Sequence, residues 1–215
     1  MWRFTVIALA AFSAVALGAS ENIDKVNGSI RIDGSRTVGD LSTVNGSIDV
    51  GEDSRAADLE TVNGSIQLKP HVVAESVKTV NGSISVGADA QVLESAETVN
   101  GRITLEKRAQ VGGRVETVNG DLLLDEAKVG GQLRTVNGDI TVGAASHVGG
   151  GILVEDSKGW KLGSTKRVPK IVIGPGAVVD GTLRFEREVK LYVSQTATIG
   201  KVEGATPIRF EGDQP

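Results

Sequence analysis

The sequence predicts an all-β fold, a single-stranded right-handed β-helix (β-solenoid) with coils of about 18 residues. The first observation is a Val-Asn-Gly triplet that recurs at nearly constant intervals, which is the signature of a repeat protein. The successive asparagines are separated by 18, 18, 18, 19, 19 and 18 residues. They are Asn27, Asn45, Asn63, Asn81, Asn100, Asn119 and Asn137.

The second observation is an alternation of residue types after each triplet. One polar residue follows the glycine, and two aliphatic residues separated by a single position come next. A period of two, β-branched residues and flanking turn residues indicate short strands rather than helices. The pairs are Ile30/Ile32, Ile48/Val50, Ile66/Leu68, Ile84/Val86, Ile103/Leu105, Leu122/Leu124 and Ile140/Val142.

The third observation is the lack of aromatic residues between positions 19 and 155. Wide globular cores normally use large aromatic side chains. Their absence favours a narrow core that is filled by stacked aliphatic residues.

The Val-Asn-Gly triplet is predicted to be a corner. An aliphatic residue or alanine precedes each asparagine by four places and valine precedes it directly, as with Leu41 and Val44. If both are buried, one straight strand cannot hold them, because they are an odd number of positions apart. Asn and Gly suit such a corner because they tolerate positive φ. A meander of β-hairpins is the alternative, but the variable remainder of each repeat favours a coil.

Stacked coils lie about 4.8 Å apart, so equivalent residues form columns. The seven asparagines are therefore expected to form a hydrogen-bonded ladder. The residues after each glycine form an outward column, which predicts a solvated face or, alternatively, a ligand-contact face. Handedness is less constrained, because 18 is also three times six, the period of left-handed hexapeptide β-helices. Right-handed crossovers are the general rule, and a left-handed coil remains the alternative.

The chain begins with a segment typical of secretory signal peptides. Arg3 is a basic start, residues 4–17 are apolar or small, and Ala16 and Gly18 fit a small-residue cleavage site. Residues 1–18 are therefore predicted to be removed. An N-terminal membrane anchor is the alternative, but the run is short for a bilayer span of about 20 residues. We expect no transmembrane segment in the mature chain.

Composition limits the compartment and the partners. The chain has no cysteine, hence no disulfide and no lipoprotein attachment site. Without Arg3, 22 basic residues stand against 27 acidic ones, and no basic stripe of the kind that binds nucleic acid is present. We expect an exported protein, periplasmic or secreted to the cell surface, with no nucleic-acid partner and no cofactor.

The repeat array is predicted to span residues 19–156. Residues 157–169 combine glycine, proline and cations and are predicted to form an excursion loop. Residues 170–215 restore the alternation and are predicted to form degenerate rungs and a C-terminal cap, with Phe185, Tyr192 and Phe210 as the cap residues. The loop is either a solvated excursion or an interaction site for an anionic polymer. Its candidate residues are Lys158, Trp160, Lys161, Lys166 and Arg167.

The recurrent TVNGSI segments, with small residues at their corners, resemble a bacterial adhesin-like β-solenoid family of unknown function over residues 23 to about 156. The later segment IGPGAVVDGTL is similar, over about 15 residues, to rungs of bactofilins, which are polymer-forming bacterial cytoskeletal proteins. The first resemblance implies an envelope-associated right-handed β-helix, and it implies no catalytic residues.

Candidate catalytic and metal-binding residues are few. His71 and His147 stand about four coils, or roughly 20 Å, apart, so no shared metal site is expected. The Gly-Gly pairs lack the following Gly and Asp of calcium-binding β-rolls. Glu97 and Glu116 would stack about 5 Å apart, as in a retaining glycosidase. Lys78 in the same column instead indicates a surface charge ladder.

These observations favour a non-catalytic structural or interaction protein of the bacterial cell envelope, either adhesin-like or self-assembling. Repeat-like sequence starts at Ile23, close to the predicted cleavage site, so end-to-end self-association through a bare first coil is expected. An envelope polysaccharide or a surface protein is the other expected partner. The alternative function is a polysaccharide-binding or polysaccharide-cleaving β-helix.

Overall fold

The computed structural model describes residues 21–156 and 167–215, and these residues form 26 strands and no helix. The strands stack in parallel as a β-solenoid, which confirms the predicted fold class. The right-handed sense of the coil stays a prediction. The described part of the chain contains no helix that could span a membrane. The predicted signal peptide, residues 1–18, lies outside the described residues.

Most strands are two to five residues long because each crosses only one side of a narrow coil. In chain order they are β1 (Ile23–Asn27), β2 (Ile30–Ile32), β3 (Leu41–Asn45), β4 (Ile48–Val50), β5 (Arg55–Asn63), β6 (Ile66–Leu68), β7 (Val73–Asn81), β8 (Ile84–Val86), β9 (Gln91–Val92), β10 (Ala96–Asn100), β11 (Ile103–Leu105), β12 (Gln110–Val111), β13 (Val115–Asn119), β14 (Leu122–Leu124), β15 (Lys128–Val129), β16 (Leu133–Thr135), β17 (Ile140–Val142), β18 (His147–Val148), β19 (Ile152–Val154), β20 (Lys170–Ile173), β21 (Val178–Val179), β22 (Leu183–Phe185), β23 (Lys190–Ser194), β24 (Thr198–Ile199), β25 (Val202–Glu203) and β26 (Ile208–Phe210).

The strands of successive coils form three faces. Face 1 holds β1, β3, the second halves of β5 and β7, β10, β13, β16, β19, β22 and β25. Face 2 is a separate 10-stranded sheet from β2 to β26, and its strands from β2 to β17 each follow an Asn-Gly corner. Face 3 holds the first halves of β5 and β7, then β9, β12, β15, β18, β21 and β24. Faces 1 and 3 form one 16-stranded sheet, because β5 and β7 run through both.

Alternate residues of every face point into a single aliphatic core. In the coil that contains β10 and β11, the buried residues include Ala96, Ile103, Leu105, Ala109 and Val111. The register repeats one coil later, where Leu122 lies on Ile103 and Leu124 lies on Leu105. The core thus consists of continuous columns, as the period of two in the sequence predicts.

The prediction that the valine before each asparagine is buried is wrong. Val44 is 41% exposed, whereas Thr43 is 3% exposed. The strand stays straight as far as Asn45 and bends only at Gly46, one residue later than the parity argument assumed. Leu41 and Thr43 therefore share the inward side, and valine takes the outward one. The corner itself lies at the Asn-Gly pair, as predicted.

The expected positive φ at the Asn-Gly corner is also wrong for all but the first coil, where Gly28 has φ 106°. The later corner glycines serve another purpose, because a Cβ on Gly64 would stand 1.9 Å from the Gly46 carbonyl oxygen one coil earlier. Left-handed backbone occurs instead at the turn between faces 2 and 3. There it is carried by Ser35, Asp53, His71, Asp89, Arg108, Glu126, Ala145 and Gly176.

The C-terminal coils continue the same columns with larger side chains. Phe185 is 4% exposed and lies in register with Val154. Tyr192 is predicted to cap the end of the core, but it lies on the outer side of face 2. The Lys170 ammonium stands 5.2 Å from the centre of its ring. Phe210 lies in the last strand and is partly exposed.

Candidate functional site

The Asn-Gly corner is held by a ladder of side-chain amides. From the second coil onward, each asparagine donates from Nδ2 to the Oδ1 atom of the asparagine one coil earlier. The six N···O distances are 2.9–3.0 Å. All seven asparagines remain exposed on their outer side. The ladder therefore links seven coils along one edge of the solenoid.

Buried threonines complete the corner from the inside. Thr98 Oγ1 donates to the Gly82 carbonyl oxygen one coil earlier at 3.0 Å, and four other coils repeat this bond at 2.8–3.1 Å. The Gly82 N–H donates to the Asn100 carbonyl oxygen of the next coil. Both backbone groups of the corner glycine are therefore satisfied. A threonine is required because valine has the same shape but no donor.

Two single substitutions, one at Thr98 and one at the neighbouring Val99, test this role. Thr98→Val leaves the partly buried Gly82 carbonyl without its donor, so we expect a loss of about 1–2 kcal/mol in the free energy of unfolding. Val99→Thr changes a side chain that is 39% exposed and should stay within about 0.5 kcal/mol of the wild type. Urea unfolding followed by circular dichroism measures both. Equal effects of the two substitutions would contradict the assignment of Thr98 to the interior.

Arg187 binds the last asparagine of the ladder, and no local sequence pattern predicts this contact. Its Nη1 donates to Asn137 Oδ1 at 2.6 Å and to the Val136 carbonyl oxygen at 3.0 Å. The column of buried threonines ends in the same coil with Thr135. Its Oγ1 atom, unlike those of the earlier threonines, has no hydrogen-bond partner among the described residues. The next coil carries Val154 at this position. The Asn-Gly corner and the buried threonine are thus both absent from the coil that contains Val154.

The first exposed surface of interest is a column of apolar side chains on face 1, which we call the valine strip. Its members are 39–68% exposed and lie beside the asparagine ladder. At a strand spacing of about 4.8 Å, five members span roughly 19 Å. The valine strip consists of Val26, Val44, Val62, Val80 and Val99.

The second surface is a shallow depression of about 350 Å³ on face 3, which we call the glycine groove. Its floor is backbone, because a Cβ at Gly112, Gly130 or Gly149 would come within 2.2–2.6 Å of a carbonyl oxygen one coil earlier. Amide, ammonium and imidazole groups along its rim can hydrogen-bond to an extended polar chain. The rim includes Gln91, Gln110, Lys128 and His147, and Leu93 lies at one end.

The carboxylates of Glu97 and Glu116 stack in register, as predicted, but arginines engage both. Arg114 lies 2.8 Å from a Glu97 oxygen and 3.4 Å from a Glu116 oxygen. Arg134 lies 2.8 Å from both Glu116 and Glu155. The hydrogen bond to Glu155 raises the pKa of Arg134 above its usual range despite partial burial. A retaining pair needs one carboxyl group that is free to donate a proton to the substrate, whereas arginines contact both of these carboxyl groups.

His71 lies in a turn between faces 2 and 3, whereas His147 lies on face 3, and acidic residues contact both histidines. His147 Nε2 is 2.6 Å from Asp180 Oδ2, and His71 lies 3.4 Å from Asp53 and 3.8 Å from Asp89. A hydrogen bond from Arg108 lowers the pKa of Asp89. Within residues 21–156 and 167–215, no three His, Asp or Glu residues are arranged to hold a metal ion.

The candidate residues of the excursion loop are mostly not described. Lys158, Trp160, Lys161 and Lys166 lie outside the described residues. Arg167 is described, and its Nη2 contacts the Asp139 carboxylate. The backbone N–H of Lys170 donates to the other oxygen of Asp139 at 2.9 Å. Asp139, in the outward column after the corner glycines, thus anchors the chain where it rejoins the coil.

Comparison with known proteins adds no relative to this description. No family model, curated protein or solved structure matches the chain.

Proposed function

We propose that this protein is a non-catalytic interaction protein of the bacterial cell envelope, adhesin-like in its role, that contacts a surface protein through the valine strip. The observation that carries the proposal is the exposure of five valines in one column. The fold does not require apolar residues there, because the neighbouring outward column of face 1 holds Ser42, Glu60 and Lys78. Contiguous exposed apolar side chains mark interaction surfaces.

The chemistry of the strip favours a polypeptide over a polysaccharide. Each ladder amide uses one N–H for its neighbour and keeps a second N–H for an outside acceptor. Methyl groups beside a row of amide donors match an extended polypeptide, which offers apolar side chains and carbonyl oxygens at a regular repeat. No aromatic side chain, on which a sugar ring could stack, belongs to the strip or the ladder.

Export belongs to the same proposal. It is supported by the signal-peptide pattern of residues 1–18 and by a cysteine-free chain that needs no redox environment to fold. Fractionation of the cells that make the protein tests this part separately. Recovery of the processed chain in the periplasm, on the cell surface or in the medium supports export, and recovery only in the cytosol contradicts it.

Binding to isolated cell envelopes tests the role of the strip. The variant Val62→Thr/Val80→Thr keeps two good strand formers but removes two exposed methyl groups, worth about 0.8 kcal/mol each when buried. We expect its binding to weaken roughly tenfold. The matched control is Val172→Thr, the same exchange at a partly exposed position on face 2.

Treatment of the envelopes identifies the partner. Protease should abolish binding, whereas periodate oxidation of the polysaccharides should leave it intact. Binding that survives protease, or that is equally strong in the Val62→Thr/Val80→Thr variant, contradicts the proposal.

Polysaccharide binding is the second candidate, and the glycine groove is the observation that favours it. Loss of binding after periodate, together with weaker binding of Gln110→Ala and Lys128→Ala, would support this candidate. Polysaccharide cleavage finds less support, because the stacked Glu97 and Glu116 carboxylates are paired with Arg114 and Arg134.

A further inference from the structure

The two ends of the solenoid place a cation where every inner coil places an uncharged residue. On face 1, Lys25 stands in register with Thr43, the first of the buried threonines. On face 2, Arg209 of the last strand stands in register with the fully buried Val193. Both cations therefore occupy inward columns, although the open end leaves their side chains exposed.

Each cation is held over its end by a backbone carbonyl rather than by a carboxylate. Lys25 Nζ donates to the Ser29 carbonyl oxygen at 2.8 Å, across the corner of its own coil. Arg209 Nη1 donates to the Ser194 carbonyl oxygen at 3.0 Å. In an inner coil the residue in the Lys25 column instead bonds to the corner of the preceding coil, as Thr43 does to Gly28.

We propose that Lys25 and Arg209 are end stops that prevent a second copy of this chain from stacking onto the solenoid. Among residues 21–156 and 167–215, the outer edges of β1, β2, β25 and β26 have no partner strand, and a further coil could satisfy their backbone groups. A copy stacked in continuous register would place Ile32 of its first coil on Arg209, because Ile32 begins the column that ends there. Burying an unpaired charge is strongly unfavourable.

Stacking of two like ends can also bring these cations together. First coil on first coil, with face 1 against face 1, would oppose two copies of Lys25, and last coil on last coil, with face 2 against face 2, would oppose two copies of Arg209. Inward-pointing charges on edge strands are a known protection against edge-to-edge association. The proposed end stops would oppose the end-to-end self-association expected from the sequence. Lys25 and Arg209 do not belong to the valine strip, so their role does not depend on its partner.

The test restores the residues of the inner columns. In Lys25→Thr/Arg209→Val both inward columns contain only uncharged residues from the first coil to the last, and we expect concentration-dependent growth. The wild type should have the mass of one chain at all concentrations. Light scattering coupled to size-exclusion chromatography measures mass, and electron microscopy distinguishes filaments of one-coil width from amorphous aggregates. Removing the charges should tighten association at least about tenfold.

The matched control is Lys78→Thr, which removes the same charge from the outer side of face 1 and should remain monomeric. The single variants Lys25→Thr and Arg209→Val each free one end and serve if the double variant does not fold. End-to-end oligomers of the wild type would overturn the proposal. A folded double variant that stays monomeric, or one that forms only amorphous aggregates, would overturn it as well.

Discussion

Replacing Gly82 with alanine is expected to lower the free energy of unfolding by at least about 3 kcal/mol, because the new Cβ collides with backbone. The ideal Cβ position lies 1.9 Å from the Gly64 carbonyl oxygen one coil earlier. That oxygen already accepts a hydrogen bond from the Thr79 hydroxyl, and the two coils cannot separate without breaking this bond and the ladder bond from Asn81 to Asn63. Thermal and urea unfolding, followed by circular dichroism, measure the loss.

The same substitution at Gly28 is the internal control. Nothing lies within 4 Å of a Cβ there, and the strain comes only from its φ of 106°. We expect Gly28→Ala to cost about 1 kcal/mol. Equal costs at Gly28 and Gly82 would show that backbone conformation, and not the approach of neighbouring coils, selects glycine at the corner.

Truncation of Leu124 is expected to cost about 2–5 kcal/mol, whereas truncation of the adjacent Leu123 should cost less than about 1 kcal/mol. Leu124 is 1% exposed and lies in the column between Leu105 and Val142, so alanine leaves a cavity that rigid neighbouring coils cannot fill. Leu123 points outward and is 37% exposed.

The Leu123→Ala and Leu124→Ala variants share composition and differ only in which side of β14 is truncated. Differential scanning calorimetry measures the melting temperatures of both variants, and their difference shows which of the two side chains points into the core. Similar melting temperatures for both variants would contradict the inward assignment of Leu124.

The period of two allows most of the fold to be predicted from the sequence. Pairs such as Ile103 and Leu105 specify both the strands and the buried columns, and the spacing of the asparagines specifies the stacking. Parallel in-register stacking then places Asn81 beside Asn100 without further information. These features are local or strictly repeated, so one sequence displays them fully.

The assignment of Thr98 and Val99 to the two sides could not be obtained in this way. Both are β-branched strand formers, and hydropathy alone turns valine inward. The decisive factor is the Gly82 carbonyl, which faces the interior and needs a hydroxyl. The need for a hydroxyl at this position follows only from the three-dimensional structure of the corner.

The remaining features depend on contacts or exceptions rather than on the repeat. Arg187 reaches Asn137 across 50 residues of sequence, and no spacing rule connects them. Lys25 is different, because the sequence shows lysine before Val-Asn-Gly where the next six repeats show threonine. Its meaning follows only when its column is known to be an inward one.

The asparagine ladder also gives the solenoid an electrical direction. Each bonded Nδ2 points toward the first coil and each Oδ1 toward the last, so the amide dipoles add head to tail as peptide dipoles do in an α-helix. Strands contribute little net dipole of their own. The negative pole lies at Asn137, where the Arg187 guanidinium stands. Side chains thus provide this β structure with an axial polarity that helices obtain from their backbone.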